Sequence, residues 1–96
     1  MSRESEVMHL KHDIKKHIIE NFYYGQDDNT LTDTISFLEN GIIDSTGVLE
    51  LVSFIQETYE ITVTDEEILP DNFDSIEKLA GYVRMKQTTM QTVGQR

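Results

Sequence analysis

Cysteine and tryptophan are absent, proline occurs once, and no lysine or arginine stands between positions 17 and 77. Without cysteine the chain forms no disulfide, no thiolate metal site and no cysteine nucleophile, so any thiol must be imported. The missing cations are more telling. All eight permanent positive charges lie at Arg3, Lys11, Lys15, Lys16, Lys78, Arg84, Lys86 and Arg96, while residues 17 to 77 hold 15 carboxylates. That stretch is a negative field which internal salt bridges cannot neutralise, so its carboxylates face water or await cations from elsewhere. The net charge of -10 repels phosphate backbones and anionic lipid, which argues against nucleic acid as a partner. Long hydrophobic runs are lacking too: none approaches the roughly 20 residues of a membrane span. The first residues mix both charge signs without an apolar signal region, so a soluble, cytoplasmic protein is expected. Ninety-six residues suffice for one folded domain and its core.

What is present has mostly helical spacing. Val7, Leu10, Ile14 and Ile18 recur at steps of three and four, predicting an amphipathic helix from about Glu6 to Tyr23, stopped at Gly25. From Gly25 to Asp44 no period persists, and Leu31, Ile35, Phe37 and Leu38 punctuate a long, partly anchored loop with a turn near Ser36 to Glu39. Loops of that length in small domains are usually functional or flexible. Asn40-Gly41 marks a turn, and Asp44-Ser45 offers two helix-capping residues. The helix they start points Val48, Val52, Ile55 and Tyr59 inward. Leu49, Leu51 and Phe54 widen its apolar arc, so it is buried on two sides, borders a cavity or offers part of itself to a partner.

Ile61-Thr62-Val63 is an extended connector, since no second strand is available to pair with it. Thr64 to Glu67 fits a capping box, and Pro70 follows so closely that about one helical turn can form. Asp74 and Glu77 make a similar start for a last helix, with Ile76, Leu79, Ala80 and Val83 inward and an end near Lys86. The expected architecture is all-α: three main helices and one short one in a small four-helix bundle. Residues 1–5 form a flexible N-terminus, 6–86 the folded domain and 87–96 a disordered tail.

Metal chemistry has two candidate sites, both weak. His9, His12 and Asp13 lie at helical spacing, but no further ligand joins them and they read as a solvated helix face. A calcium loop could run from Asp28 through Thr30 and Thr32 to Glu39, with Ile35 at the eighth place, but Asp33 stands where the sharp bend needs glycine. No metal is expected. Ser45 is more informative. A serine opening a helix is ordinarily its cap, yet this one follows a long loop and sits where free N–H groups and positive potential favour a phosphate.

Gly41-Ile42-Ile43-Asp44-Ser45, then Val48-Leu49-Glu50-Leu51-Val52, Ile55, Tyr59, Ile61, Val63 and Asn72-Phe73-Asp74-Ser75-Ile76, resembles the acyl carrier protein family, with its aminoacyl and peptidyl carriers. The likeness covers about residues 7 to 85 and is densest from Phe37 to Val83. It implies a carrier, not an enzyme, in which Ser45, beside Asp44, is esterified by 4'-phosphopantetheine transferred from coenzyme A by a phosphopantetheinyl transferase. The arm ends in a thiol, which would supply what a cysteine-free chain lacks. The resemblance also implies partners: an acyl or aminoacyl ligase or transferase and a downstream synthase. Recognition would fall to an acidic second helix, with Glu50, Glu57 and Glu60 on its face, Glu39 and Asp44 at its edge, and Thr46 and Leu49 beside the serine. Leu49, Val52, Phe54 and Ile55 would be available to line a lipid site, although Val52 and Ile55 fall on the inward stripe and read better as core.

The sequence departs from the family pattern at two places. Thr46 replaces the usual leucine after the serine, and Gly47 stands where an acidic residue is common, removing a charge and loosening the first helical turn. Both point to a specialised carrier with dedicated partners. A monomer is expected. The competing reading is an acidic interaction module, calcium-binding and without a covalent cofactor.

Overall fold

The computed structural model describes residues 3–94 and is helical, with no strand among them. Helix α1 is Arg3–Phe22, α2 is Ser45–Tyr59, α3 is the single turn Pro70–Phe73, and α4 is Ile76–Gly94, with 3-10 turns at Asp28–Thr30 and Asp65–Glu67. This is the expected bundle of three long helices and one short one.

The helices form where apolar residues repeat at helical spacing, and the same residues make the core. Leu10, Ile14 and Ile18 of α1 meet Leu51, Val52 and Ile55 of α2 and Ile76, Leu79, Ala80 and Val83 of α4, all buried. Each of these Leu, Ile and Val side chains contributes about 1.5–3 kcal/mol through burial, so the core dominates the stability. Leu51 shows why the second helix carried excess apolar surface. It is fully buried outside the Val48–Val52–Ile55–Tyr59 stripe, whereas Leu49 remains 59% exposed.

The long loop is pinned at both its ends and its middle. Leu31, Phe37 and Ile43 are buried in the core, and Gly25 and Gly41 take the left-handed backbone its two bends require. The Phe37 N–H donates to the Asp74 carbonyl at 2.9 Å, and the Glu77 N–H donates to the Asp33 carbonyl at 2.9 Å.

Several boundaries differ from the sequence reading. Helix α1 begins at Arg3 and not near Glu6, and α4 continues past Lys86 to Gly94. Once a helix is nucleated each added residue gains a hydrogen bond, and Met85, Gln87 and Gln91 are good helix formers, so lack of apolar period does not end it. Positions 1, 2, 95 and 96 lie outside the described residues. Pro70 opens the short helix instead of closing it: the Thr64 box yields a 3-10 turn, where Glu67 Oε1 accepts from the Thr64 N–H at 3.2 Å. Proline suits a first helical position because its missing N–H has no partner there. Asp74 does not cap α4. Ser75 does, its hydroxyl accepting from the Lys78 N–H at 3.1 Å.

Candidate functional site

The start of α2 is built by the turn at Gly41 and by Ile43, which buries its side chain and ends the loop. Asp44 takes an extended conformation and its Oδ1 accepts from the Gly47 N–H at 2.8 Å, while its carbonyl accepts from Val48. Asp44 is therefore the helix cap, and the capping role open to Ser45 in the sequence is already filled. Ser45 is the first helical residue, exposed, and its hydroxyl forms no hydrogen bond among the described residues. The amides of the first turn supply positive potential beside it.

Gly47 has a reason in packing. It is buried, and a Cβ there would lie 2.7 Å from Ile43 Cγ2 and 3.0 Å from Phe22 Cε1. The first turn of α2 is thus pressed against the end of α1. The sequence reading of a loosened turn is corrected: no side chain fits, acidic or otherwise, without displacing these two neighbours.

Beside Ser45 opens a cleft of about 270 Å³ between the start of α2 and the segment from Ile68 to Asp74. Phe37, Val48 and Phe73 line its apolar wall, and Leu38 and Leu69 stand at its margin, 43% and 50% exposed. Asp74 organises one side. Its Oδ1 accepts from the Leu38 N–H at 2.9 Å and its Oδ2 from the Ser36 hydroxyl, so a carboxylate 36 residues away holds the loop against the cleft. Leu38, Leu69 and Asp74 were not assigned to the site from sequence. Large apolar residues beside Ser36 and Pro70, outside any helical stripe, were the available signal for the first two.

Helical geometry sorts the remaining candidates. Thr46, Glu50, Ser53 and Glu57 recur at steps of four, three and four on the solvent side of α2, all exposed. Leu49 stands next to this stripe on the Ser45 side. Glu39 is exposed in the loop, and Glu60 is exposed just past α2, where φ of 55° gives the helix a left-handed end. Val52 and Ile55 are core, and Phe54 stacks on His17 of α1. The metal candidates do not converge. Asp33 pairs with Lys11 at 3.4 Å, the Thr30 hydroxyl donates to the Asp27 carbonyl at 2.7 Å, and His9 lies 3.6 Å from Asp13; no group of three potential ligands gathers among the described residues.

An exposed, unpartnered hydroxyl at a helix start, with an apolar cleft alongside, fits a phosphate-linked arm: room for the ester, positive potential for the phosphate and a groove for the chain beyond it. Comparison with known proteins agrees. The chain is similar to "Probable acyl carrier protein PigG" of Serratia sp. (strain ATCC 39006), 28% identical over 75 residues that cover 78% of this chain and 85% of that protein. The family model described as "Phosphopantetheine attachment site" matches residues 12–83. With that match spanning most of its length, the chain belongs to the phosphopantetheine-carrying acyl carrier protein family, whose members are carriers and not enzymes and whose cofactor is 4'-phosphopantetheine.

Proposed function

We propose that Ser45 bears the arm and that the protein holds an acyl or aminoacyl group and presents it to the enzymes that load, modify and unload it. The observation that carries this reading is the division of labour at the start of α2: Asp44 caps the helix, which leaves the neighbouring hydroxyl exposed and unengaged. In the modification, Ser45 Oγ forms a new bond to the phosphorus of coenzyme A that carries the pantetheine. The bond from that phosphorus to the adenosine bisphosphate leaving group breaks, and the hydroxyl proton passes to the transferase. When bound, the arm supplies a terminal thiol that holds the cargo as a thioester.

The chain's own residues anchor and present. With the arm attached, the Ser45 and Thr46 amides, which Asp44 does not engage, would be the ones available to the phosphodiester, and the Phe37–Val48–Phe73 wall would give the proximal arm an apolar resting place. Glu50 and Glu57, with Glu39, Asp44 and Glu60 at the ends of the stripe, form the docking surface for a transferase, ligase or synthase with a basic patch. Thr46 and Leu49 provide its uncharged contacts next to Ser45. Tethering raises the effective concentration of cargo at each docked active site, and electrostatic attraction speeds encounter. A dedicated set of partners remains our reading of the Thr46 departure, Gly47 being accounted for by packing.

Intact-mass measurement after incubation with coenzyme A and a broad-range phosphopantetheinyl transferase tests the assignment. The wild type is expected to gain one phosphopantetheinyl group, while Ser45→Ala keeps its helical spectrum and gains nothing. An equal gain in both proteins, or none in either, refutes Ser45 as the attachment point.

A further inference from the structure

On the far side of the acidic stripe from Ser45, where α2 packs on α1, lies a second depression of about 280 Å³. Its base is aromatic: the His17 imidazole and the Phe54 ring stack with centroids 3.8 Å apart and planes 12° from parallel. Phe22 meets His17 edge-on at 6.3 Å, and Tyr59 meets Phe54 edge-on at 6.2 Å, so the stacked pair is held on two sides. Glu50 and Glu57 stand on the rim, both exposed, with Ser53 between them. Seven residues of helix put these two carboxylates about 10 Å apart along one face. Among the described residues neither carboxylate forms a salt bridge.

We propose that this depression receives an arginine side chain from a partner enzyme, its guanidinium set against the Phe54–His17 pair and between the carboxylates of Glu50 and Glu57. The proposal deepens the docking role suggested above, on which it rests, by committing the partner's cation to one place and adding α1 to the surface. Charge complementarity selects a cation, and the aromatic base selects arginine over lysine, because a planar guanidinium stacks on rings and forks towards carboxylates while an ammonium stays strongly hydrated.

The arrangement also makes reception depend on the charge of His17. Asn21 Nδ2 lies 3.3 Å from His17 Nδ1 and donates to the His17 carbonyl at 2.9 Å, which makes Nδ1 the acceptor of the amide. The other nitrogen, Nε2, is buried and has no hydrogen-bond partner among the described residues. Burial lowers the pKa of His17 below its ordinary value of 6.5, against the opposing pull of Glu50 on α2 and Glu20 on α1. Glu57 and Tyr59 on α2 and Asp13, one turn earlier on α1, are further titratable groups beside the stacked pair; the Tyr59 hydroxyl donates to Asp13 at 3.4 Å, and the neighbouring Lys16 of α1 is exposed. A neutral ring accepts a neighbouring cation, and a protonated ring repels it.

A helical peptide presenting a single arginine, with counterparts bearing lysine or citrulline at that position, provides the probe for a nuclear magnetic resonance titration of the full chain. The arginine peptide is expected to shift signals of His17, Phe54, Glu50 and Glu57 saturably and to bind about fivefold tighter than the lysine peptide, with citrulline inert. Glu57→Gln, an exposed change that leaves the fold alone, should weaken binding several-fold. Phe54→Leu should abolish the preference for arginine over lysine. Binding should also fall as His17 protonates. Equal affinity for arginine and lysine, or shifts spread over Glu39, Glu60 and Glu66 alike, overturns the proposal. The titration involves neither Ser45 nor coenzyme A, so its failure is distinguishable from failure of the mass experiment.

Discussion

Asp44, Ser45 and Gly47 occupy four consecutive positions with Thr46 and divide three tasks. Asp44 satisfies the helix end, Ser45 keeps an exposed hydroxyl with no hydrogen bond among the described residues, and Gly47 permits the approach of Ile43 and Phe22. Sequence alone showed the Gly-x-x-Asp-Ser turn but could not choose between two adjacent capping residues, because Asp and Ser cap comparably well. Nor could it show the reason for Gly47, which lies in how Ile43 and, from a helix end more than 20 residues away, Phe22 pack against it. Gly47→Ala is predicted to be destabilising. The methyl gains up to about 1 kcal/mol in helix propensity, but crowding a packed site costs about 1–3 kcal/mol, and Ile43, buried at 2% exposure, has little room to yield. Urea unfolding is expected to place the variant about 1 kcal/mol below wild type; an unchanged or higher midpoint would show that Ile43 and Phe22 repack freely.

Among the elements, α1, α2 and the inward stripe of α4 were readable because their apolar periods coincide with the buried face: Leu10, Ile14, Ile18, Ile55, Leu79 and Val83 all lie in the core. The segment from Thr64 to Ser75 was less readable. Its two short turns are decided by partners distant in sequence, and Asp74 is the instructive residue. It had the right spacing to cap α4, yet its carboxylate holds Ser36 and Leu38 while Ser75 serves as the cap. Local pattern cannot reveal a bond made across 36 positions. Asp74→Ala is predicted to cost about 1–3 kcal/mol, since the Leu38 amide and Ser36 hydroxyl lose a charged acceptor. The corresponding signature in hydrogen exchange is faster exchange at Leu38 with α1 amides least affected; uniform loss of protection, or none, would deny Asp74 its local role.

At the scale of the molecule, the charge pattern seen in the sequence becomes a division among the described residues, with the carboxylate stripe on α2 and the Lys and Arg residues on α1 and α4. Asp33 and Glu67 are withdrawn from the negative field by Lys11 and Lys86, and Glu67 ties the bundle together. Glu67 accepts from Lys86 Nζ at 2.9 Å, from the Tyr82 hydroxyl at 3.0 Å and from the Thr64 N–H at 3.2 Å. The Lys86 hydrogen bond foremost, then the Thr64 amide, lowers its pKa from 4.5 to about 2. The folded state thus binds this proton less readily than the unfolded chain, so the stabilisation is complete above pH 4.5 and is lost as pH falls towards 2. Unfolding measured between pH 5 and pH 3 should show a steeper loss in wild type than in Glu67→Gln. Parallel curves would mean that the Lys86–Glu67–Tyr82 link does not contribute to acid sensitivity.

Ser45 belongs to a helix, not to the loop before it, and that loop is itself buttoned down through Asp74. On the attachment proposed for Ser45, the tether starts from a stiff mount, and its freedom of direction begins only beyond its first bonds. An enzyme that grips α2 fixes the origin of that sweep as well, so the distance from its grip to its catalytic pocket should be matched to one tether length with little slack.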